Sequence, residues 1–216
     1  MGLIDLSHAI EHGMITYKGL PAPIICDFLS REDSRKNYAP GTEFQIGKIE
    51  MVSNTGTYLD CPFHRYADGK DLSQLNLENL AELEGVLIDA KNQQAVGKNF
   101  FEGKNLSGKA VLVNTGWSKH WRTDAYFENH PFLTAEAADY LVSLKVKLVG
   151  IDSHNIDDTR TNARPVHSAL LKNEILIVEH MTNLHMLIGK KFIFNAVPPK
   201  FAGVGTFPVR AFASID

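Results

Sequence analysis

The hydrophobic and polar positions along the chain predict short buried strands separated by helices. Five short apolar runs are typical of strands that are buried on both faces of a sheet. They lie at residues 85–90, 109–115, 146–151, 175–179 and 192–197. Residues 43–52 alternate instead between apolar and polar side chains, which indicates a strand with one solvated face.

Helical segments lie between these runs. Thr134 suits the N-cap of a helix that continues through AEAADYLVSL, and Pro165 suits the first position of a helix reading PVHSALLK. A further helix after residue 64 is predicted from the leucines at positions 72, 75, 80 and 83. The combination predicts an α/β fold with a central mixed sheet flanked by helices, built as a single domain over residues 1–216.

One polar segment, residues 28–41, is long for a simple connection. It is consistent with a mobile lid or an arm that contacts another subunit. A solvated surface loop explains the same composition equally well.

Composition and charge exclude several functional classes. The chain carries 22 Lys and Arg against 25 Asp and Glu, so it lacks the cationic excess of a nucleic-acid-binding protein. Its apolar runs are far shorter than the roughly 20 residues of a membrane span, and no signal peptide is visible, so we expect a cytoplasmic protein. The two cysteines do not suggest a disulfide scaffold, whereas the nine histidines stand out and call for a chemical explanation.

Candidate chemistry begins in the segment NTGTYLDCPFH at residues 54–64. If this segment is a strand, Asn54, Tyr58 and Asp60 point to one side, and Pro62 ends the strand. The chain can then turn and bring His64 back towards Asp60. A carboxylate beside an imidazole can form a metal site or a proton-transfer pair. The alternative is an aspartate that caps a turn next to a surface histidine.

A second group combines His167, in the first turn of the predicted helix, with Glu179, at the end of a predicted strand. A carboxylate after four apolar residues is costly to bury unless it is paired or bound to a metal. It could also be the first solvated residue beyond the strand. His154 follows another predicted strand, at the end where α/β sheets bind ligands, and is a further candidate.

Taken together, the ordered motifs resemble those of the cyclase family of metal-dependent hydrolases, to which kynurenine formamidase and isatin hydrolase belong. NTGTYLDCPFH is similar to the family pattern H-x-G-T-H-x-D-x-P-x-H. Four other segments also resemble family motifs: IDLSHAIEHGMITYKG, VLVNTGW, GIDSHNID and RPVHSALLKNEILIVEHMTNL. The resemblance covers essentially the whole chain. It implies a swivelling β/β/α domain that assembles as a homodimer or homotetramer.

The resemblance also implies roles for individual residues. Asp60, His167 and Glu179 match metal ligands, and His64 matches the catalytic acid/base. Tyr17 matches an aromatic residue that lines the substrate pocket. These positions imply a hydrolase for a small molecule. The charge balance and the short apolar runs indicate no nucleic-acid or membrane partner.

Two positions depart from the family pattern, because Asn54 and Tyr58 stand where the family has metal-binding histidines. Asn offers only a neutral oxygen, and Tyr binds a metal only as a phenolate, whose reference pKa is near 10. We therefore expect a single metal held by Asp60, His167 and Glu179, either alone or together with His64, and Zn²⁺ or Mn²⁺ suits these donors. His154 is a possible replacement imidazole.

The expected reaction is hydrolysis of an amide or ester carbonyl in a formamide, a cyclic amide or a lactone. Metal-activated water would attack the carbonyl, and His64 would move the proton. Tyr58 could donate a hydrogen bond to the developing oxyanion instead of binding metal. The alternative function is a metal-free or weakly active relative that binds a small carboxylate or aromatic ligand.

Overall fold

The computed structural model describes residues 2–215, which contain thirteen strands and three α-helices. The strands are β1 (Gly2–Asp5), β2 (Ile24–Leu29), β3 (Ile46–Glu50), β4 (Tyr58–Asp60), β5 (Leu83–Asp89), β6 (Ala95–Val96), β7 (Ala110–Asn114), β8 (Phe132–Leu133), β9 (Leu148–Ile151), β10 (Leu176–Glu179), β11 (Phe192–Asn195), β12 (Thr206–Pro208) and β13 (Phe212–Ile215). The α-helices are α1 (Arg31–Ser34), α2 (Ala135–Ser143) and α3 (Pro165–Lys172). Short 3₁₀ helices lie at Pro62–His64, Leu72–Gln74, Leu77–Asn79, Lys98–Phe100, Trp117–His120, Asp124–Phe127 and Leu184–Leu187.

A nine-stranded mixed sheet forms the centre of the part that the structure describes, in the order β1-β13-β11-β5-β7-β9-β10-β4-β12. Strands β5, β7, β9 and β10 run parallel, and antiparallel strands extend the sheet on both sides. Strands form at all five predicted positions, as β5, β7, β9, β10 and β11. Burial on both faces is correct for β7, β9 and β10 and wrong for β5 and β11, where Asp89 and Ile193 are exposed. The predicted α/β class with a central mixed sheet is confirmed.

Alternation along the central strands divides the core between the two faces of the sheet. In β7, Ala110 and Leu112 join one apolar cluster, whereas Val111 and Val113 join the other. The second cluster also contains the buried side chains of α2 and α3, so these helices cover that face. A strand buried on both faces needs apolar side chains at every position, which explains the unbroken apolar runs.

Both longer helices begin where the sequence predicts. The Thr134 hydroxyl accepts a hydrogen bond from the Ala137 N–H at the start of α2, and Pro165 occupies the first position of α3. None of the helices within residues 2–215 is long and apolar enough to cross a membrane.

The predicted leucine-lined helix is wrong. Two single 3₁₀ turns, Leu72–Gln74 and Leu77–Asn79, take its place, and Leu83 is the first residue of β5. Asp71 closes a capping box at the first turn, and the backbone at Leu75 is already extended. A polar residue that bonds its local backbone starts a turn without sustaining a helix.

Strands β2 and β3 form a separate two-stranded antiparallel sheet, which we call the arm. All five residues of β3 are exposed, and Phe28 on β2 exposes 76% of its surface. Residues 28–41, predicted as a lid, an interface arm or a surface loop, contribute the end of β2 and α1 to this region.

Candidate active site

Strand pairing brings the chemical groups of the site together. The short strand β4 lies between β10 and β12, which sets Tyr58 opposite Glu179 and Asp60 opposite Thr206. Directly opposed residues share a face of the sheet, as do alternate residues of one strand. All four side chains therefore meet on one face, although the sequence separates them by up to 148 positions, from Tyr58 to Thr206.

Asp60 is completely buried, and its two carboxylate oxygens differ in their hydrogen bonding. The Thr206 hydroxyl donates to its Oδ1, whereas Oδ2 is buried without a hydrogen-bond partner among the described residues. The Nε2 atom of His167 lies 3.7 Å from this Oδ2. A buried carboxylate oxygen without a partner is costly, and a cation is the partner that removes the cost.

His167 projects from the first turn of α3 towards Asp60. Its Nδ1 lies 2.6 Å from Oδ2 of Asp157, and Asp157 also accepts the backbone N–H groups of Val166 and His167. Burial opposes protonation of His167, but the surrounding carboxylates of Glu179, Asp157 and Asp60 outweigh it and raise its pKa to about 10. The region around its Nε2 atom therefore carries a strongly negative potential.

Glu179 lies beside this group with both of its oxygens already engaged. Its Oε2 accepts the Tyr58 hydroxyl at 2.7 Å, and its Oε1 accepts the Ile156 N–H at 2.6 Å. Oε1 is also 3.7 Å from His167 Nε2. Burial, with a contribution from Asp60, raises the pKa of Glu179 to about 7.

His64 is the accessible member of the site, with 35% of its side chain exposed. Its Nδ1 lies 2.8 Å from the Thr206 hydroxyl, which also bonds to Asp60. The Thr206 hydroxyl has one proton, which it donates in a hydrogen bond to the ionised Asp60 carboxylate, because that carboxylate can only accept. Nδ1 of a neutral His64 must therefore carry the ring proton, and Nε2 keeps its lone pair.

Tyr58 is a buried neutral phenol. Burial, reinforced by the charges of Glu179 and Asp60, raises its pKa well above the usual value of 10. The Tyr58 hydroxyl donates a hydrogen bond to Glu179, and the Nε2 atom of His180 lies 3.2 Å from the phenol oxygen. Simple alternation predicts that His180 points away from Glu179, but a φ of +55° after the strand turns it back to Tyr58.

A cavity of about 410 Å³ opens over these groups. Six of the predicted site residues line it: Tyr17, Asn54, Tyr58, His64, His167 and Glu179. Three residues, Asp60, His64 and His167, each offer a ligand atom within 4.8 Å of the other two. Glu179 lies beside this group of three, although the set of mutually close ligand atoms does not include it.

The structure does not place His154 among the candidate metal ligands. Its ring packs behind Tyr17, with the ring centroids 4.4 Å apart, and it is also close to Tyr126 and Phe127. Burial lowers its pKa to about 3, so the ring is neutral. The structure therefore places His154 in an aromatic layer that supports the cavity wall.

Sequence reasoning missed two residues that orient the site, Thr206 and Asp157. Thr206 lies in a short strand without a conspicuous pattern, and only pairing with β4 reveals its contact with Asp60. Asp157 is the last residue of GIDSHNID, one of the segments that carry the family resemblance, and that motif was the available signal.

Gly205 allows the chain before β12 to pass very close to the turn that carries His64. A Cβ atom at position 205 would lie 2.3 Å from the His64 backbone nitrogen. We expect Gly205→Ala to displace His64 and to lower activity together with the melting temperature. In Gly97→Ala, by contrast, the nearest atom is the end of the Asn99 side chain, which can rotate away. Equal melting temperatures and activities in the two variants would contradict this assignment.

Comparison with known proteins agrees with the fold and the motifs. The model of the Cyclase family matches residues 4–158, and the chain belongs to this family. It is 28% identical over 210 residues to a kynurenine formamidase of Bacillus cereus, covering 96% of this chain and 95% of that protein. It is 31% identical over 171 residues to an uncharacterized protein of Methanocaldococcus jannaschii, covering 79% and 83% of the two chains.

Solved structures show the same fold. An isatin hydrolase bound to the product analogue thioisatinate superposes with a TM-score of 0.81 at 22% identity, over 98% of this chain and 91% of that one. A protein described as a potential metal-dependent hydrolase with cyclase activity superposes with a TM-score of 0.79 at 22% identity, over 98% and 96%.

Proposed function

We propose that this protein is a metal-dependent hydrolase that cleaves the acyl C–N bond of a small amide or the acyl C–O bond of a small ester. Formamides, cyclic amides and lactones are the substrate types considered. The observation that carries the proposal is the buried Oδ2 of Asp60, which lies beside two histidines and has no hydrogen-bond partner within residues 2–215. The names of the relatives, a kynurenine formamidase and an isatin hydrolase, support hydrolysis of an amide bond.

The residues of the site fit a divalent cation. Asp60 offers an oxygen without a partner, and the carboxylates around His167 create a potential that a proton or a metal ion neutralises. The contact with Asp157 fixes the orientation of the His167 ring, as is common for histidines that bind metals. Asp60 and His167 would hold the ion. Glu179 would complete the ligand set if one of its carboxylate oxygens gave up its hydrogen bond and bound the ion instead.

This donor set favours a single ion, with Zn²⁺ or Mn²⁺ the best matches for two carboxylates and an imidazole. Tyr58 is a neutral phenol that donates to Glu179, so it is a poor ligand for a second ion. The Asn54 side chain lines the cavity and accepts a hydrogen bond from Ser53 at 3.2 Å.

A bound ion of this kind acidifies a water molecule and polarises the carbonyl oxygen of the substrate. The protein supplies the proton transfer. Nε2 of His64 keeps its lone pair, because Nδ1 carries the ring proton and donates it in a hydrogen bond to the Thr206 hydroxyl oxygen. His64 can therefore accept a proton from water and return it to the leaving group. Tyr17 forms part of the wall against which the substrate lies.

A substrate screen tests the proposal. Purified protein is assayed with formanilide, a cyclic imide and a lactone, with and without added Zn²⁺ or Mn²⁺. We expect metal-stimulated turnover of at least one carbonyl class. Absence of turnover in every combination would reject the proposal and favour the metal-free binding protein considered above.

We also propose that the protein assembles as a homodimer or homotetramer through the arm. A two-stranded sheet is marginal in water, and this one exposes Phe28, Ile46 and Ile49. Several large exposed apolar side chains on one small sheet are typical of an interface. A cytoplasmic location and a single domain over residues 1–216 remain predictions.

The double substitution Phe28→Ser and Ile49→Ser should convert the assembly to monomers, because it removes the apolar surface of the arm. Light scattering after size-exclusion chromatography measures the mass. Leu77→Ser is the matched control, since Leu77 is 63% exposed but lies outside the arm. A monomeric wild type, or an assembly that persists in the double variant, would exclude this interface.

A further inference from the structure

The rim of the cavity carries an excess of positive charge. Lys18, Arg65 and Arg164 line it, whereas Glu179 is its one acidic lining residue among those described. Glu179 lies at the buried end, with hydrogen bonds to both oxygens. A substrate that enters therefore meets three cationic side chains before it reaches the group of Asp60, His64 and His167.

Arg164 is the cation that the surrounding structure compensates least. It is half-buried at the position just before α3, and its Nη1 donates to the carbonyl oxygens of Thr161 and Ala163, both at 2.7 Å. Within residues 2–215, no carboxylate oxygen lies within 4.0 Å of its guanidinium nitrogens. The backbone contacts thus hold the side chain in place without neutralising its charge.

The other two cations are exposed and have local partners. Lys18 is 3.8 Å from Asp124 and 3.7 Å from Glu128, and these acids reduce its field. Arg65 is exposed, and its Nε donates to the Ser168 hydroxyl at 3.1 Å. Arg164 is therefore the stronger candidate for binding a group of opposite charge.

Arg164 is also close to the reacting centre. It precedes His167 by three residues. Burial and the charge of Glu179 raise the pKa of Tyr17, and the Arg164 guanidinium group lies near enough to the Tyr17 hydroxyl to oppose that rise. A ligand that packs on Tyr17 is consequently within reach of the guanidinium. Arginine binds carboxylates through two parallel hydrogen bonds, which fixes orientation as well as affinity.

We propose that Arg164 binds a carboxylate of the substrate, so that the natural substrate is an acidic amide or ester rather than a neutral one. This inference rests on the proposed hydrolase function. It adds a specificity-determining residue that holds the end of the substrate remote from the scissile carbonyl. The cationic rim would also attract such a substrate by long-range steering.

Kinetics on matched substrate pairs test this role. The 2-, 3- and 4-formamidobenzoates are compared with the corresponding formamidobenzamides, which are nearly isosteric but neutral. We expect the wild type to favour at least one acid over its amide by about tenfold or more in kcat/KM. The ratio should fall towards one in Arg164→Gln and stay partly above one in Arg164→Lys, which retains the charge without the fork.

Arg160→Gln is the matched control. Arg160 also lies before α3, but it is paired with Asp158 at 2.8 Å and does not line the cavity. It should keep the preference of the wild type. A ratio near one in the wild type, or an unchanged ratio in Arg164→Gln, would overturn the proposal.

A binding measurement separates this inference from the hydrolase proposal. Calorimetry with benzoate and benzamide on the same purified proteins requires no turnover. We expect benzoate to bind the wild type about tenfold tighter than benzamide, and Arg164→Gln to lose that difference. Equal benzoate affinity in the wild type and Arg164→Gln would mean that the carboxylate binds elsewhere, and this result would overturn the inference even if the protein hydrolyses amides.

Discussion

Asp60→Asn should abolish most of the activity while leaving the protein folded. Asp60 supplies the buried oxygen without a partner, and its charge helps to create the potential that attracts a cation. The amide is nearly isosteric but neutral, so it keeps the packing and weakens metal binding. We expect kcat/KM to fall by about 10³-fold or more, since a metal ion contributes several kcal/mol of transition-state stabilisation.

Asp152→Asn is the matched control, because it changes another buried aspartate, which directly follows β9. Asp152 accepts the backbone N–H groups of Thr115 and Gly116 and the Thr115 hydroxyl, and it belongs neither to the cavity lining nor to the group of three. An amide cannot accept all three bonds, so the free energy of unfolding should fall by about 1–3 kcal/mol. Activity per folded molecule should persist. If Asp60→Asn instead lost stability and kept its activity, the assignment would be wrong.

His64→Asn should lower kcat by about 10²- to 10⁴-fold and leave the metal content unchanged. The Asn side-chain amide can donate to Thr206 as the Nδ1–H group does, so the bond to Thr206 and its contact with Asp60 can survive. What is lost is the Nε2 lone pair that accepts the proton. Added imidazole should partly restore the rate, because it supplies the missing base.

His185→Asn provides the comparison, since His185 is exposed and lies outside the cavity lining. Its kinetics should match those of the wild type, with no response to imidazole. Loss of bound metal in His64→Asn would show that His64 is a ligand rather than the acid/base, and undiminished kcat would exclude both roles.

Most of the sheet could be predicted from the sequence because its central strands are buried on both faces. Residues 110–114 are apolar except at the end, and this pattern is local and strong. The turns at Leu72–Gln74 and Leu77–Asn79 could not be predicted, because leucine spacing alone does not reveal where Asp71 caps a turn. The arm depends on pairing between strands separated by a long connection, which no local pattern specifies.

The candidate site likewise combines residues that the sequence indicates with residues that only the fold brings together. His64 lies four residues from Asp60, so a single turn of chain suggests their proximity, and the family resemblance adds His167 and Glu179. Thr206 reaches Asp60 only through the pairing of β4 with β12. His180 joins Tyr58 only because its backbone adopts a positive φ, which simple strand alternation does not anticipate.

Metal content and chelation test the central claim most directly. Elemental analysis of the purified wild type and Asp60→Asn is combined with an assay of turnover before chelation, after chelation and after re-addition of Zn²⁺ or Mn²⁺. We predict about one divalent ion per wild-type chain, its loss in Asp60→Asn, and turnover that chelation removes and metal restores. Turnover that survives complete removal of metal, or a wild type that binds none, would contradict the account.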